Sequence, residues 1–225
     1  MPSHLRVLAS RARARALRIR PVSETPYATH MPVLMALAPV IRPRRVLELG
    51  SGPFSTALFL DREVFADLER LVSYEDDPEW ERVVRDAVGT DPRLDFRMVE
   101  VVRTSVPEDL NQFDLIFIDD SRTPTERSET IRTVRERAPR GVVMIHDYEQ
   151  RAYRTASKGF DDRVAITTFT PQVGVCWFRG DGQRSTLRGE IRDAAHEVET
   201  GKARAIPVED VAGWKAIRNM RDLPG

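Results

Sequence analysis

The sequence has a single cysteine, Cys176, in 225 residues. No intramolecular disulfide and no Cys-rich metal cluster can form from it, and a reducing, cytoplasmic setting is expected. Lysine is almost missing, standing only at 158, 202 and 215, so Arg supplies nearly all the positive charge. Neither sign is in excess: 35 basic residues face 35 acidic ones. Bulk electrostatics therefore do not call for a nucleic-acid partner. No apolar run approaches the roughly 18 residues of a membrane span, so no membrane partner is expected. The Arg-rich N-terminal stretch has no acid before Glu24, and it lacks the apolar segment of a secretory signal. Its residues 1–26 read as a basic arm.

The chain does have 41% apolar residues, ample for a core. Residues 27–41 read as a helix interrupted by prolines. Strand-like and helix-like segments then alternate. RVLEL (45–49), RLVSYE (70–75), LDFRMVE (94–100), FDLIFID (113–119) and GVVMIH (141–146) are strand-like. Helical spacing is expected over 54–68, 78–88 and 123–138, the last a charged helix expected on the surface. Apolar strands alternating with helices imply a parallel sheet covered on both faces. Two strand-like runs flanking Thr170-Pro171-Gln172 suggest an antiparallel hairpin at the sheet edge. Residues 183–225 look helical and polar, with breaks at Gly201 and Pro207.

Ligands of open parallel sheets bind at the carboxyl ends of the strands. Four such ends carry glycines or acids here. The first strand holds Glu48 and opens into Gly50-Ser51-Gly52-Pro53. Gly50 permits a tight turn, and Gly52 lets a ligand approach the backbone. The third glycine of the dinucleotide fingerprint is replaced by Ser55, which weakens a pyrophosphate reading. The second strand closes on Glu75, an acid placed to accept ribose hydroxyls. The fourth ends in Asp119-Asp120 and the fifth in His146-Asp147.

VLELGSG, SYE, FDLIFIDDS and GVVMIHD together resemble the class I S-adenosylmethionine-dependent methyltransferases, especially the small-molecule O-methyltransferase branch whose fifth strand ends in His-Asp. The resemblance covers roughly residues 27–180. It implies an α/β, Rossmann-like sheet of seven strands, mostly parallel with a C-terminal antiparallel hairpin and helices on both faces. It implies a domain over 27–180 and a helical extension over 181–225. By this resemblance Glu48, Gly50, Ser51 and Gly52 line the methionine end of S-adenosylmethionine, Glu75 holds the ribose, and Asp119 borders the cofactor. The segment 100–102 flanks the adenine, without the family's usual Gly-Asp.

On the acceptor side the candidate catalytic residues are Asp119, His146, Asp147 and Arg122. Asp119 and Asp147 end expected neighbouring strands, and His146 has an ordinary pKa suited to a general base. Adjacent strand residues point oppositely, so His146 and Asp147 share a side only if the strand has ended. Arg122 is placed to orient an anionic acceptor. An Mg²⁺ site on Asp119 and Asp147, with Asp120 as a third ligand, is the lesser alternative, because Tyr148 stands where metal-dependent relatives often have Asn. His30 and Thr29 lie in a segment that often closes over the cofactor in the family.

The expected activity is methyl transfer to the hydroxyl of a small molecule. RNA methylation, with the basic arm gripping phosphates, and a non-catalytic binding module are the alternatives. A base-amino methylase would need an Asn/Asp-Pro-Pro motif after the fourth strand, and a cytosine-C5 methylase a Cys nucleophile; neither is in place. A nicotinamide dehydrogenase is disfavoured by the missing third glycine. The sequence leaves open whether two copies pair as a homodimer.

Overall fold

The computed structural model describes residues 28–121, 123–180 and 184–199. The basic arm, Arg122 and the chain beyond 199 lie outside the described residues.

Seven strands form one sheet in the order β3-β2-β1-β4-β5-β7-β6. In chain order these are β1 Arg45–Leu49, β2 Arg70–Glu75, β3 Leu94–Met98, β4 Leu115–Ile118, β5 Val142–Ile145, β6 Asp162–Ile166 and β7 Val173–Trp177. The first five are parallel; β7 runs antiparallel between β5 and β6. The expected parallel sheet with an edge hairpin is observed.

Alternate strand residues feed two cores, because successive side chains leave opposite faces of a strand. Val46, Leu115, Phe117, Val142 and Met144 join one core. Leu47, Leu49, Ile116, Ile118, Val143 and Ile145 join the other. Burial on both faces explains why β4 and β5 read as unbroken apolar runs.

Helix α1 spans Met31–Ile41, α2 Ser55–Leu60, α3 Pro78–Val88, α4 Pro124–Glu136, α5 Arg151–Ala156 and α6 Arg184–Glu199. Asp77 caps α3 by accepting from the Glu79 and Trp80 amides at 2.9 and 3.2 Å. Thr123 caps α4: its hydroxyl oxygen accepts from the Glu126 amide at 3.4 Å and its hydroxyl donates to the Glu126 carboxylate at 2.6 Å, while the Thr123 amide donates to Ser121 Oγ at 3.1 Å in place of the carboxylate of a full capping box.

Two expectations need correction. The helix expected over 54–68 ends at Leu60. Asp61 turns extended and its carboxylate accepts from the Glu63 amide at 2.8 Å, a local turn that competes with helix. Phe65 and Leu68 still reach the core from the following turns. The charged helix, now α4, is not a surface element only: Arg127, Ser128, Thr130, Ile131 and Val134 are buried. Within the expected helical extension, α6 packs on the domain. Its Ile191, Ala194, Ala195 and Val198 pack in the same core as Val33, Leu34 and Leu37 of α1.

Candidate active site

Strand order reverses beside β1, whose neighbours β2 and β4 lead in opposite directions across the sheet. A crevice at the carboxyl ends follows from that reversal. Here it is a cleft of about 830 Å³, lined among others by Gly50, Ser51, Gly52, Glu75, Asp119, His146 and Asp147. Seven of the sequence's candidate residues thus meet in one place. Glu48, buried beneath the loop, supports it from below. Arg122 lies outside the described residues.

The loop after β1 fits its glycines. Gly50 has φ +87°, a left-handed conformation, and a Cβ there would stand 2.4 Å from the Asp119 carbonyl oxygen. Only glycine allows both. The Ser51 amide and hydroxyl donate to Glu75 Oε2 at 3.1 and 2.7 Å. The Asp76 and Asp77 amides donate to its Oε1, each at 3.0 Å. All four acceptor positions of this carboxylate are therefore taken within the chain. Burial nevertheless keeps the Glu75 pKa above its ordinary value, outweighing these donors. Trp80 Nε1 donates to the Ser51 carbonyl at 2.6 Å, tying α3 to the loop. Asp76 accepts from the Val102 amide at 3.0 Å, which brings Val101, Val102 and Arg103 to the cleft wall.

Glu48 is fully buried. Its Oε2 accepts from Ser73 and Thr56 hydroxyls at 2.5 and 2.7 Å, while Oε1 has no partner. Burial pushes its pKa up to about 7 against those donors. It acts from beneath, bracing β2 and α2.

The inner end is built differently. Strand β5 stops at Ile145, and Asp147 takes φ +55°. The strand's alternation no longer applies, so His146 and Asp147 reach the same cluster: His146 Nδ1 is 3.2 Å from Asp119 Oδ1 and 3.8 Å from Asp147 Oδ1. On the other side of the ring, Nε2 is 2.9 Å from the Thr29 hydroxyl. Arg127, 5% exposed, reaches between the two aspartates, 3.0 Å from Asp119 and 2.5 Å from Asp147. It also donates to the carbonyls of Asp120 and Ser121 at 3.1 and 2.8 Å.

These contacts set the charges. Burial alone would raise the Asp119 pKa, but the neighbouring charges of His146 and Arg127 bring it down to about 2. Burial alone would lower that of His146, yet Asp119 and Asp147 leave it raised. Burial pushes Asp120 up to about 6; its carboxylate accepts from the Thr130 hydroxyl, and among the described residues Oδ1 has no partner. Arg127 sits between Asp119 and Asp147 and neutralises the pair. The Mg²⁺ alternative does not fit: a guanidinium occupies the space between the two carboxylates that would hold the ion, and Tyr148 points to Ser157 at 2.7 Å.

Arg127 was missed in the sequence, although a signal was there. Arg127, Thr130, Ile131 and Val134 fall at helical spacing on one face of α4, and all are buried. Apolar Ile131 and Val134 mark that face; the arginine shares it.

No protein-family profile matches the sequence, and no curated protein does either. Solved structures do match. A methyltransferase from Podospora anserina bound to S-adenosylhomocysteine is 16% identical over 80% of this chain and 89% of its own, with a TM-score of 0.51. An O-methyltransferase from Bacillus cereus in complex with S-adenosylhomocysteine is 18% identical over 79% and 91%, with a TM-score of 0.50. Spermidine synthase in complex with a transition-state analogue is 20% identical over 88% and 71%, with a TM-score of 0.54. The chain therefore has the class I methyltransferase fold. At these identities the fold is what it shares with them.

Proposed function

We propose that this chain is an S-adenosylmethionine-dependent methyltransferase acting on the hydroxyl of a small molecule. One observation carries the reading: a single cleft at the sheet's reversal point joins a glycine loop and a strand-end acid to a buried Asp–His pair. Two fold neighbours are bound to S-adenosylhomocysteine, which supports the choice of cofactor.

When bound, the cofactor supplies an electrophilic methyl group on a sulfonium. The chain's residues do the rest. Gly50 and Gly52 admit the ligand close to the backbone, and Ser51 and Glu75 offer hydrogen bonds to a ribose. Because Glu75 is saturated within the chain, a ribose hydroxyl takes the place of the Ser51 hydroxyl on it. Arg127 fixes Asp119 and Asp147, and the acceptor's proton is handled by Asp119 and His146. In-line displacement needs the acceptor aligned with the methyl group, and both ends of the cleft serve that alignment.

Calorimetry with S-adenosylhomocysteine tests the reading. One equivalent bound per chain is expected. No binding by the folded chain would remove the cofactor and with it the activity.

A further inference from the structure

His30 has no explained role so far. It is 2% exposed, and among the described residues neither ring nitrogen has a hydrogen-bond partner. A buried polar group left unpaired is costly, so such a group calls for a ligand, ion or water. The ring stands edge-on to His146, with centroids 5.0 Å apart and planes at 89°. One ligand atom from each of His30, Asp119 and His146 lies within 4.8 Å of the others. All three residues line the cleft, so an ion can enter from the cofactor side.

We propose that His30, His146 and Asp119 form a binding site for a first-row transition-metal dication, with zinc as the reference ion, at the acceptor end of the cleft. Two imidazoles and one carboxylate are the ligand set of catalytic zinc and of non-haem iron, and they disfavour Mg²⁺. Metal–ligand distances of about 2.1 Å put ligand atoms roughly 3–4 Å apart. The present spacing closes to that by small side-chain rotations, which no hydrogen bond of the His30 ring resists. His146 binds through Nδ1, because Nε2 faces the Thr29 hydroxyl; a ligating imidazole held at its other nitrogen by an acceptor is the usual support for such a site. Arg127 lies close, but Asp119, Asp120 and Asp147 offset one guanidinium and one dication in formal charge.

This site differs from the Asp119–Asp147 arrangement that Arg127 fills. Three protein ligands leave a coordination position open. On the methyl-transfer reading, on which only the ion's role rests, a bound ion would lower the pKa of an acceptor hydroxyl. With the ion bound, Asp119 and His146 would act as its ligands; their proton-handling role belongs to the metal-free site.

The test uses the full chain, stripped with chelator and titrated with Zn²⁺ and Co²⁺ by calorimetry and by Co²⁺ absorption. One ion per chain is expected, with Mg²⁺ failing to compete. His30→Ala and His146→Ala each weaken binding by at least about tenfold, while His196→Ala does not. Thermal melting of each variant, and of His30→Gln, separates ligand loss from unfolding. No stoichiometric binding, or binding unchanged in folded His30→Ala or His30→Gln protein, overturns the site. S-adenosylhomocysteine is titrated separately. Nucleoside binding without metal binding overturns this inference alone; metal binding without nucleoside binding overturns the methyltransferase reading alone.

Discussion

The two ends of the cleft both bury carboxylates, and they stabilise them by opposite means. At the outer end Glu75 is held by short-range donors: a serine of the preceding loop and the next two backbone amides. At the inner end Asp119 is held by charged partners in direct contact, His146 and Arg127 at 3.2 and 3.0 Å. At Glu75 the neutral donors favour the charged form, but burial outweighs them. Ion pairs in low dielectric fix the charge, and removal of one partner strands the other. The outer end is thus suited to hold a neutral hydroxyl-bearing ligand. The inner end is suited to chemistry that moves protons or charge.

The sharpest way to break this contrast is Arg127→Met. It strands Asp119 and Asp147 and frees two carbonyls, so a loss of about 3–5 kcal/mol in unfolding free energy is expected. Arg127→Lys keeps the charge but cannot reproduce the fork, and should lose less. Denaturant unfolding of both variants measures it. A loss under about 1 kcal/mol for Met would show that the inner acids do not need the guanidinium.

Next in size is Glu75→Ala, which removes the outer acid. Affinity for S-adenosylhomocysteine should fall by about 1.5–3 kcal/mol, the scale of a charge-assisted hydrogen bond. Unchanged affinity in calorimetry would reduce Glu75 to a loop brace.

Glu48 sharpens the comparison through pH. Its folded pKa, about 7, lies above the ordinary 4.5, so the folded state binds more protons than the unfolded state between those values. Stability from this group therefore falls as pH rises from about 4.5 to about 7 and then levels off. Wild type should lose roughly 2 kcal/mol more than Glu48→Gln between pH 5 and 7.5. Denaturant midpoints at several pH values check it; parallel profiles would contradict a protonated Glu48.

The smallest effect expected is that of Ser51→Ala. It frees one acceptor position on Glu75, while the Ser51 amide still donates. Nucleoside affinity should change by less than about 1 kcal/mol, measured by the same calorimetry. A loss as large as that of Glu75→Ala would mean that Ser51, not Glu75, carries the contact.

The same contrast explains what the sequence disclosed. The outer end is built from contiguous pieces. Gly50-Ser51-Gly52 follows one apolar run and Glu75 closes the next, so turn chemistry and strand ends are enough to find it. The inner end joins Thr29, His30, Asp119, Arg127 and His146, which only the tertiary fold brings together. Its strand-end members were visible because a parallel sheet aligns its carboxyl ends. Arg127 was hidden because burial of a charge depends on partners distant in sequence, and no propensity reports that. The early end of α2 was hidden for a different reason: one Asp61 side chain overrode apolar spacing that continued through Phe65 and Leu68.

The division of labour between the two ends is tested most directly by one side-by-side titration. S-adenosylhomocysteine is titrated into wild type, Glu75→Ala and Asp119→Asn, each shown to be folded by its melting transition. The expected result is one equivalent bound by wild type, a loss of at least about tenfold in Glu75→Ala, and a change under about threefold in Asp119→Asn, which keeps shape and loses charge. Equal losses in the two variants, or a greater loss in Asp119→Asn, would contradict the assignment of the outer end to the cofactor and the inner end to the acceptor.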